Sequence, residues 1–292
     1  MSALIRPFFD ESTKTVSYLV ADPDTRQCVI IDPVLDYDPR NGTVVTASAD
    51  AMLAAIANEQ LQLIWILETH VHADHLSAAQ YLKRNSHARI GIGEHVREVQ
   101  GLFAGVFNLQ DIAADGRDFD ALFRDGDEFT LGNLKIEVMH TPGHTPACVS
   151  YRIGDAVFVG DTLFMPDYGT ARTDFPGGDA ATLYRSIRRL LSLPPQTRLF
   201  MCHDYKTPAR NQYAWESTVA QQREQNVHAN DGVSESAFVE MRHSRDATLA
   251  TPDLLLPSIQ VNVRAGRLPQ PQANGVRYLK TPLRIPDALA NL

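Results

Sequence analysis

Short apolar runs alternate with polar breaks along this chain, and the breaks carry Gly, Pro and Asp. From Thr15, TVSYLVADPDTRQCVIIDPV is two β-branched, apolar runs separated by DPDTRQ, which predicts a strand hairpin. SADAMLAAIANEQ places apolar residues at helical spacing, with Ser48 in position to cap that helix. LQLIWILETH suits a strand covered on both faces. ADHLSAAQYLKRN reads as a helix, ARIGIG as a strand, and EHVREVQGLF as a helix again.

The second half repeats the theme. RDGDEFTLGN, LKIEVMHTPGHT and CVSYRIGDAVFVGDTLF are apolar or alternating runs broken at Gly and Asp turns. AATLYRSIRRLLSL is an amphipathic helix, RLFMCHDY a strand, and two helices are expected between residues 212 and 243. Interleaved strands and helices predict a layered α/β protein, sheets inside and helices outside. Residues 256–286 are rich in proline and poor in helical period, so an extended segment wrapped over the domain is expected. The whole, 1–292, then reads as one domain with 252–292 as its tail.

Composition narrows the function. At 292 residues, with 44% hydrophobic and 21% charged residues, the chain can bury a sizeable core. A formal net charge of -8 excludes the basic face that a nucleic-acid binder needs. Cys28, Cys148 and Cys202 are an odd, widely spaced set without a CxxC pair, which fits a reducing cytoplasm and not a disulfide framework. With no apolar run of membrane-spanning length, a cytoplasmic protein with no membrane partner is expected.

Residues 69–75, THVHADH, change the picture most. In an extended stretch side chains two apart point the same way, so His70 and His72 can converge on one point, while Asp74 and His75 project toward a neighbouring one. Three further ligand types follow apolar strands: His144 in TPGHT, Asp161 in VFVGDT and His203 in CHDY. Loops at strand ends are where α/β proteins place their chemistry. His87, His95, His140, His228 and His243 have no such company. One metal ion or two would fit this set.

HVHADH, TPGHT, GD and CHD, in this order and at these intervals, resemble the metallo-β-lactamase superfamily. The resemblance implies an αββα sandwich of two mixed sheets with a metal site at one edge. It assigns His70, His72 and His144 to a first metal position, Asp74, His75 and His203 to a second, and Asp161 to the bridge between them.

Within that superfamily, RTDF (172–175) and HDY (203–205) resemble the persulfide dioxygenases, and the tail LPSIQVNVRAGRLP with its later YLK resembles the bacterial β-lactamase-hydrolase-like proteins. Cys148 in TPGHTPACVSY is also found there, and reads as a small buried residue. What this branch implies is one non-haem Fe(II) on His70, His144 and Asp161, with His72, Asp74, His75 and His203 orienting ligands and water. The implied reaction oxidises glutathione persulfide with O₂ to sulfite and glutathione, as in sulfide detoxification.

Arg172 is the expected partner of the glutathione carboxylates, with an internal ion pair to Asp174 or Asp161 as the competing assignment. Tyr205, Tyr168 and Arg264 are further substrate-binding candidates. The chain departs from the best-known dioxygenases at Asp167-Tyr-Gly-Thr-Ala171, where they carry glycine-cysteine-glycine. A rhodanese or a sulfide:quinone oxidoreductase would be a separate pathway partner, and family habit allows a homodimer or a homotetramer. The alternative is a dinuclear zinc hydrolase of the glyoxalase II type, a hydroxyacylglutathione thioesterase, because all seven ligands are retained.

Overall fold

Apolar residues that alternate along a strand leave both of its faces covered, and here that happens in two sheets at once. The computed structural model describes residues 2–286; positions 287–292 of the expected tail lie outside the described residues. The N-terminal half runs β1 (Leu4–Asp10), β2 (Thr15–Ala21), β3 (Gln27–Ile31), β4 (Val34–Asp38), β5 (Thr43–Val45), α1 (Ala47–Asn58), β6 (Gln62–Leu67), β7 (Leu76–Ser77), α2 (Ala79–Ser86), β8 (Arg89–Gly93), α3 (Val96–Phe107) and β9 (Ala121–Phe123). The C-terminal half runs β10 (Glu128–Leu131), β11 (Leu134–His140), β12 (Val149–Ile153), β13 (Ala156–Phe158), a 3-10 turn (Gly160–Thr162), α4 (Ala180–Leu191), β14 (Arg198–Phe200), β15 (Glu216–Thr218), α5 (Val219–Gln225), α6 (Glu235–Asp246) and α7 (Leu255–Asn262).

One sheet is ordered β1-β2-β3-β6-β8-β9, the other β10-β11-β12-β13-β14-β15, and β5-β4-β7 form a small third sheet. In the first, β1 to β3 are antiparallel, and β3, β6, β8 and β9 are parallel. Between the two large sheets lie Tyr18, Val29, Leu67, Val138, Tyr151 and Phe158. Their neighbours in sequence point outward: Leu19, Cys28 and Ile66 pack under α1, α2, α3 and α7, and Met139, Val157 and Leu199 under α4 and α6. Burying each large apolar side chain contributes roughly 1.5–3 kcal/mol, so this double alternation makes the four-layer sandwich stable. The chain has the expected αββα architecture.

Three local expectations give way. Thr46, not Ser48, stands at the N-cap of α1; Ser48 lies inside the first turn and donates its hydroxyl to Asp36 at 2.6 Å. The helix expected from Ala73 begins only at Ala79, because Leu76 and Ser77 pair with β4 instead. Asp74 and His75 therefore sit in an irregular loop. The segment from residue 256 is not extended at its start: α7 spans Leu255–Asn262, with Ile259 and Val261 buried against the helices of the first sheet.

Candidate metal centre

Strands β3, β6, β11, β13 and β14 all end toward one edge of the sandwich, and the loops that follow them carry Asp32, His70, His144, Asp161 and His203 in turn. After β6 the chain leaves its sheet as a loop, fixed at Thr69, whose backbone N–H and hydroxyl both donate to Asp32 at 2.7 and 2.8 Å. Asp32 itself follows β3. Gly160 follows β13 with φ +52°, and a Cβ there would lie 2.6 Å from the Thr69 hydroxyl, so the turn that presents Asp161 packs on the loop that presents His70. Across the sheets, Tyr151 donates to the Glu68 carbonyl at 2.9 Å and Tyr18 to the Met201 carbonyl at 2.5 Å. These bonds tie the two halves together beside the site.

His70, His144 and Asp161 each offer one ligand atom within 4.8 Å of the others. The Asp161 Oδ2 lies 3.9 Å from His70 Nε2 and 3.7 Å from His144 Nε2. Its other oxygen, Oδ1, lies 3.3 Å from His203 Nε2, which is also 3.4 Å from Asp74 Oδ2. His72 groups with Asp74 and His75, with Nδ1 4.0 Å from Asp74 and Nε2 2.9 Å from Asp32. One carboxylate thus separates two adjoining clusters.

Hydrogen bonds at the far ring nitrogens determine which atoms face inward. His144 donates Nδ1–H to the Arg172 carbonyl at 2.8 Å and His203 donates Nδ1–H to the Lys14 carbonyl at 3.2 Å. The Thr69 hydroxyl gives its proton to Asp32, so at 3.0 Å it accepts from His70 Nδ1–H. In all three rings Nε2 keeps its lone pair for the site. Burial holds His70 and His72 well below the usual imidazole range, so both stay neutral. His203 is raised: burial pushes it down, but the carboxylates of Asp161 and Asp74 outweigh that. Burial raises Asp32 and Glu68, and Asp32 adds its own repulsion at Glu68.

His72 Nδ1 and Nε2, His75 Nε2, His203 Nε2 and Asp161 Oδ1 are buried without a hydrogen-bond partner. Such a concentration of unsatisfied buried polar atoms would cost several kcal/mol in a site built only for packing. The donor set, imidazole nitrogen with carboxylate oxygen, fits a divalent transition metal.

A cleft of about 550 Å³ opens over Asp161 and His144, walled by Phe164, Tyr168, Phe175 and Tyr205. Tyr168 and Tyr205 both line it, with ring centroids 5.0 Å apart. Arg172 borders the cleft, but Nε and Nη2 already grip Asp174 at 2.6 Å each and Nη1 donates to the Ala250 carbonyl. The internal pair, the competing assignment, is what forms. Arg264 is a correction: buried, it reaches Asp111 and the Gln260 carbonyl and borders a different cavity. It lies two residues past the end of α7, against Asp111 in the loop after α3. Cys148 is buried at 3.1 Å from the Thr145 hydroxyl, its thiol pushed up to about 12 by burial, which leaves it inert.

Several residues escaped the sequence reading. Asp32 stands at the end of the apolar run CVII, the same signature that marked Asp161, and could have been found that way. Glu68 accepts a short hydrogen bond from Ser77 and faces His72. Arg242 is fully buried, pairs with Asp246 at 2.7 Å and donates to the Thr170 carbonyl, clamping α6 onto the cleft wall. Arg245, one turn along, borders the cleft and has no carboxylate partner among the described residues. Nothing in the sequence pattern separates these arginines from surface ones.

The model of the metallo-β-lactamase superfamily matches residues 13–203, and the chain belongs to that superfamily. Among its relatives, a probable metallo-hydrolase of Burkholderia pseudomallei is 57% identical over 96% of this chain and 98% of its own length. Glyoxylase B2 of Dictyostelium discoideum is 49% identical over 96% of this chain and 97% of its own. The mitochondrial persulfide dioxygenase ETHE1 of Homo sapiens is 32% identical over 69% of this chain and 68% of its own. The crystal structure of ETHE1 from Myxococcus xanthus superposes with a TM-score of 0.73 at 30% identity, covering 90% of this chain and all of that one. No helix among the described residues is long and apolar enough to cross a membrane.

Proposed function

We propose that the protein is a persulfide dioxygenase that holds one Fe(II) on His70, His144 and Asp161 and oxidises a glutathione-type persulfide with O₂ to sulfite and thiol. The observation that carries this reading is the meeting of two imidazoles and one carboxylate beneath an aromatic-walled cleft, while His72 gathers with Asp74 and His75 instead. A ferrous ion in such a two-histidine, one-carboxylate set supplies electrons for O₂ activation beside a sulfur nucleophile.

The chain's own residues do the rest. The Arg172 carbonyl and the Thr69 hydroxyl orient His144 and His70 so that their Nε2 atoms face the site. Phe164, Phe175, Tyr168 and Tyr205 exclude water from the thiol-bearing end of the substrate. Lys14, in the turn between β1 and β2 with its Nζ on the Tyr213 hydroxyl at 3.0 Å, and Arg245, on α6, line the cleft as cations for substrate carboxylates, the task the sequence suggested for Arg172. Similarity to the two ETHE1 proteins supports this branch.

A second reading, a dinuclear zinc thioesterase, is favoured by one observation: Asp161 presents Oδ1 to His203 while Oδ2 faces the triad, as a bridging ligand would. The similarity to glyoxylase B2 points the same way. Metal analysis with oxygen uptake decides between them. About one iron per chain and O₂ consumption on adding glutathione persulfide is the expected outcome. No O₂ uptake by iron-replete protein, with brisk cleavage of S-lactoylglutathione, selects the thioesterase.

A further inference from the structure

The histidine loop is held by a residue far away in the chain. Asn262, the last residue of α7, lies 4% exposed beneath the loop. Its Nδ2 donates to the carbonyls of both His72 and His75 at 2.8 Å, and its Oδ1 accepts from the Ser77 N–H at 2.8 Å. One amide therefore satisfies three buried backbone groups of the segment that carries the second cluster. Buried peptide groups without partners are expensive, and this loop has left its sheet and cannot pair them there.

The geometry points to Asn262 as a positioning residue for the metal loop: by joining the His72 and His75 peptides through one side chain, it fixes the angle at which these imidazoles face the centre. The chain just beyond Asn262 is held in turn. Gln100 donates to the Val263 carbonyl at 2.8 Å and Arg264 grips Asp111 at 2.6 Å. Gly266, with φ +79°, lets the chain turn so close under the loop that a Cβ would lie 2.6 Å from the Ser77 carbonyl. The tail is thereby a scaffold part of the metal centre, whichever metal or reaction the centre serves.

The test compares Asn262→Ala and Asn262→Asp with Asn226→Ala. Asn226 is an equally buried asparagine that bonds the Gly169 carbonyl and the His228 and Ala229 N–H groups and touches no residue of the histidine loop. Each protein is loaded with Zn²⁺ or Fe²⁺, and metal loss to a chelator is followed alongside the melting temperature of the metal-free form. Asn262→Asp keeps the size and the Ser77 acceptor but turns an oxygen toward two carbonyls.

Both Asn262 variants are expected to release metal about 10- to 100-fold faster, the range of outer-shell substitutions, while Asn226→Ala lowers the metal-free melting temperature without that acceleration. Metal release at the wild-type rate from folded Asn262→Asp would overturn the assignment. So would equal acceleration in Asn226→Ala, which would reduce Asn262 to a contributor to general stability. Neither outcome depends on the dioxygenase reading.

Discussion

His70, His144 and Asp161 come from three different loops, after β6, β11 and β13 on two sheets, whereas His72, Asp74 and His75 all come from the one irregular loop after β6. The first group is placed by the packing of the sandwich itself: Gly160 against Thr69, and tyrosines that bridge the sheets. The second depends on side chains around its loop, Asp32, Glu68 and Asn262. A cluster gathered from several loops is supported by the packing of both sheets. A cluster on one loop rests on a few side-chain bonds and can be damaged through any of them.

The largest effect should follow Asp161→Ala, because that carboxylate faces both groups. Metal content should fall from about one ion per chain to near zero, with activity lost in parallel; retention of full metal would break the assignment of the triad. Next, His144→Ala should abolish binding, but His72→Ala should cost only about 10- to 100-fold in affinity, the range for residues that orient ligands. Titration of each variant with Fe²⁺ checks this. Equal losses would show that His72 is a ligand of the same ion and would favour the two-metal reading.

At the cleft, Arg245→Ala should raise KM about tenfold with kcat little changed, the signature of lost uniform binding. Arg172→Ala should do less to KM, since its guanidinium is already committed to Asp174. The reverse order in steady-state kinetics would restore Arg172 as the substrate anchor.

The smallest expected effect is a pH dependence on the triad's side. His228 Nδ1 accepts from the Thr170 N–H at 3.1 Å, and burial followed by repulsion from Arg242 and Arg245 lowers its pKa to about 4. The folded state resists the proton that the unfolded chain takes up near 6.5. Stability is therefore undiminished above about pH 6.5 and falls as pH drops toward 4, by about 1–2 kcal/mol once solvent screening is allowed for. His228→Gln should flatten that part of a melting-temperature profile.

What the sequence disclosed follows from the same contrast. Apolar runs ending in a polar residue marked Asp161, His144 and His203, because a strand's end is fixed by local alternation. Asp32 obeyed the same rule and was passed over for want of a neighbouring histidine. The helix predicted over residues 73–85 failed where β4 captured Leu76 and Ser77, a partner more than forty residues earlier that no local window contains. Arg172, Arg245 and Arg264 could not be told apart either, since an arginine's task is set by which carboxylate the fold brings within reach.

Asn262 has one more consequence, in the order of synthesis. Every presumptive ligand has been made by His203, yet the Nδ2 that binds the His72 and His75 carbonyls is added 190 residues after the first of them. A nascent chain paused between those points has its five imidazoles but not the side-chain amide that steadies two of them, and closing so long a loop comes late in folding. Maturation of the centre is thus coupled to completion of nearly the whole chain, and a metal ion that arrives early meets a looser set of ligands than one that arrives after release.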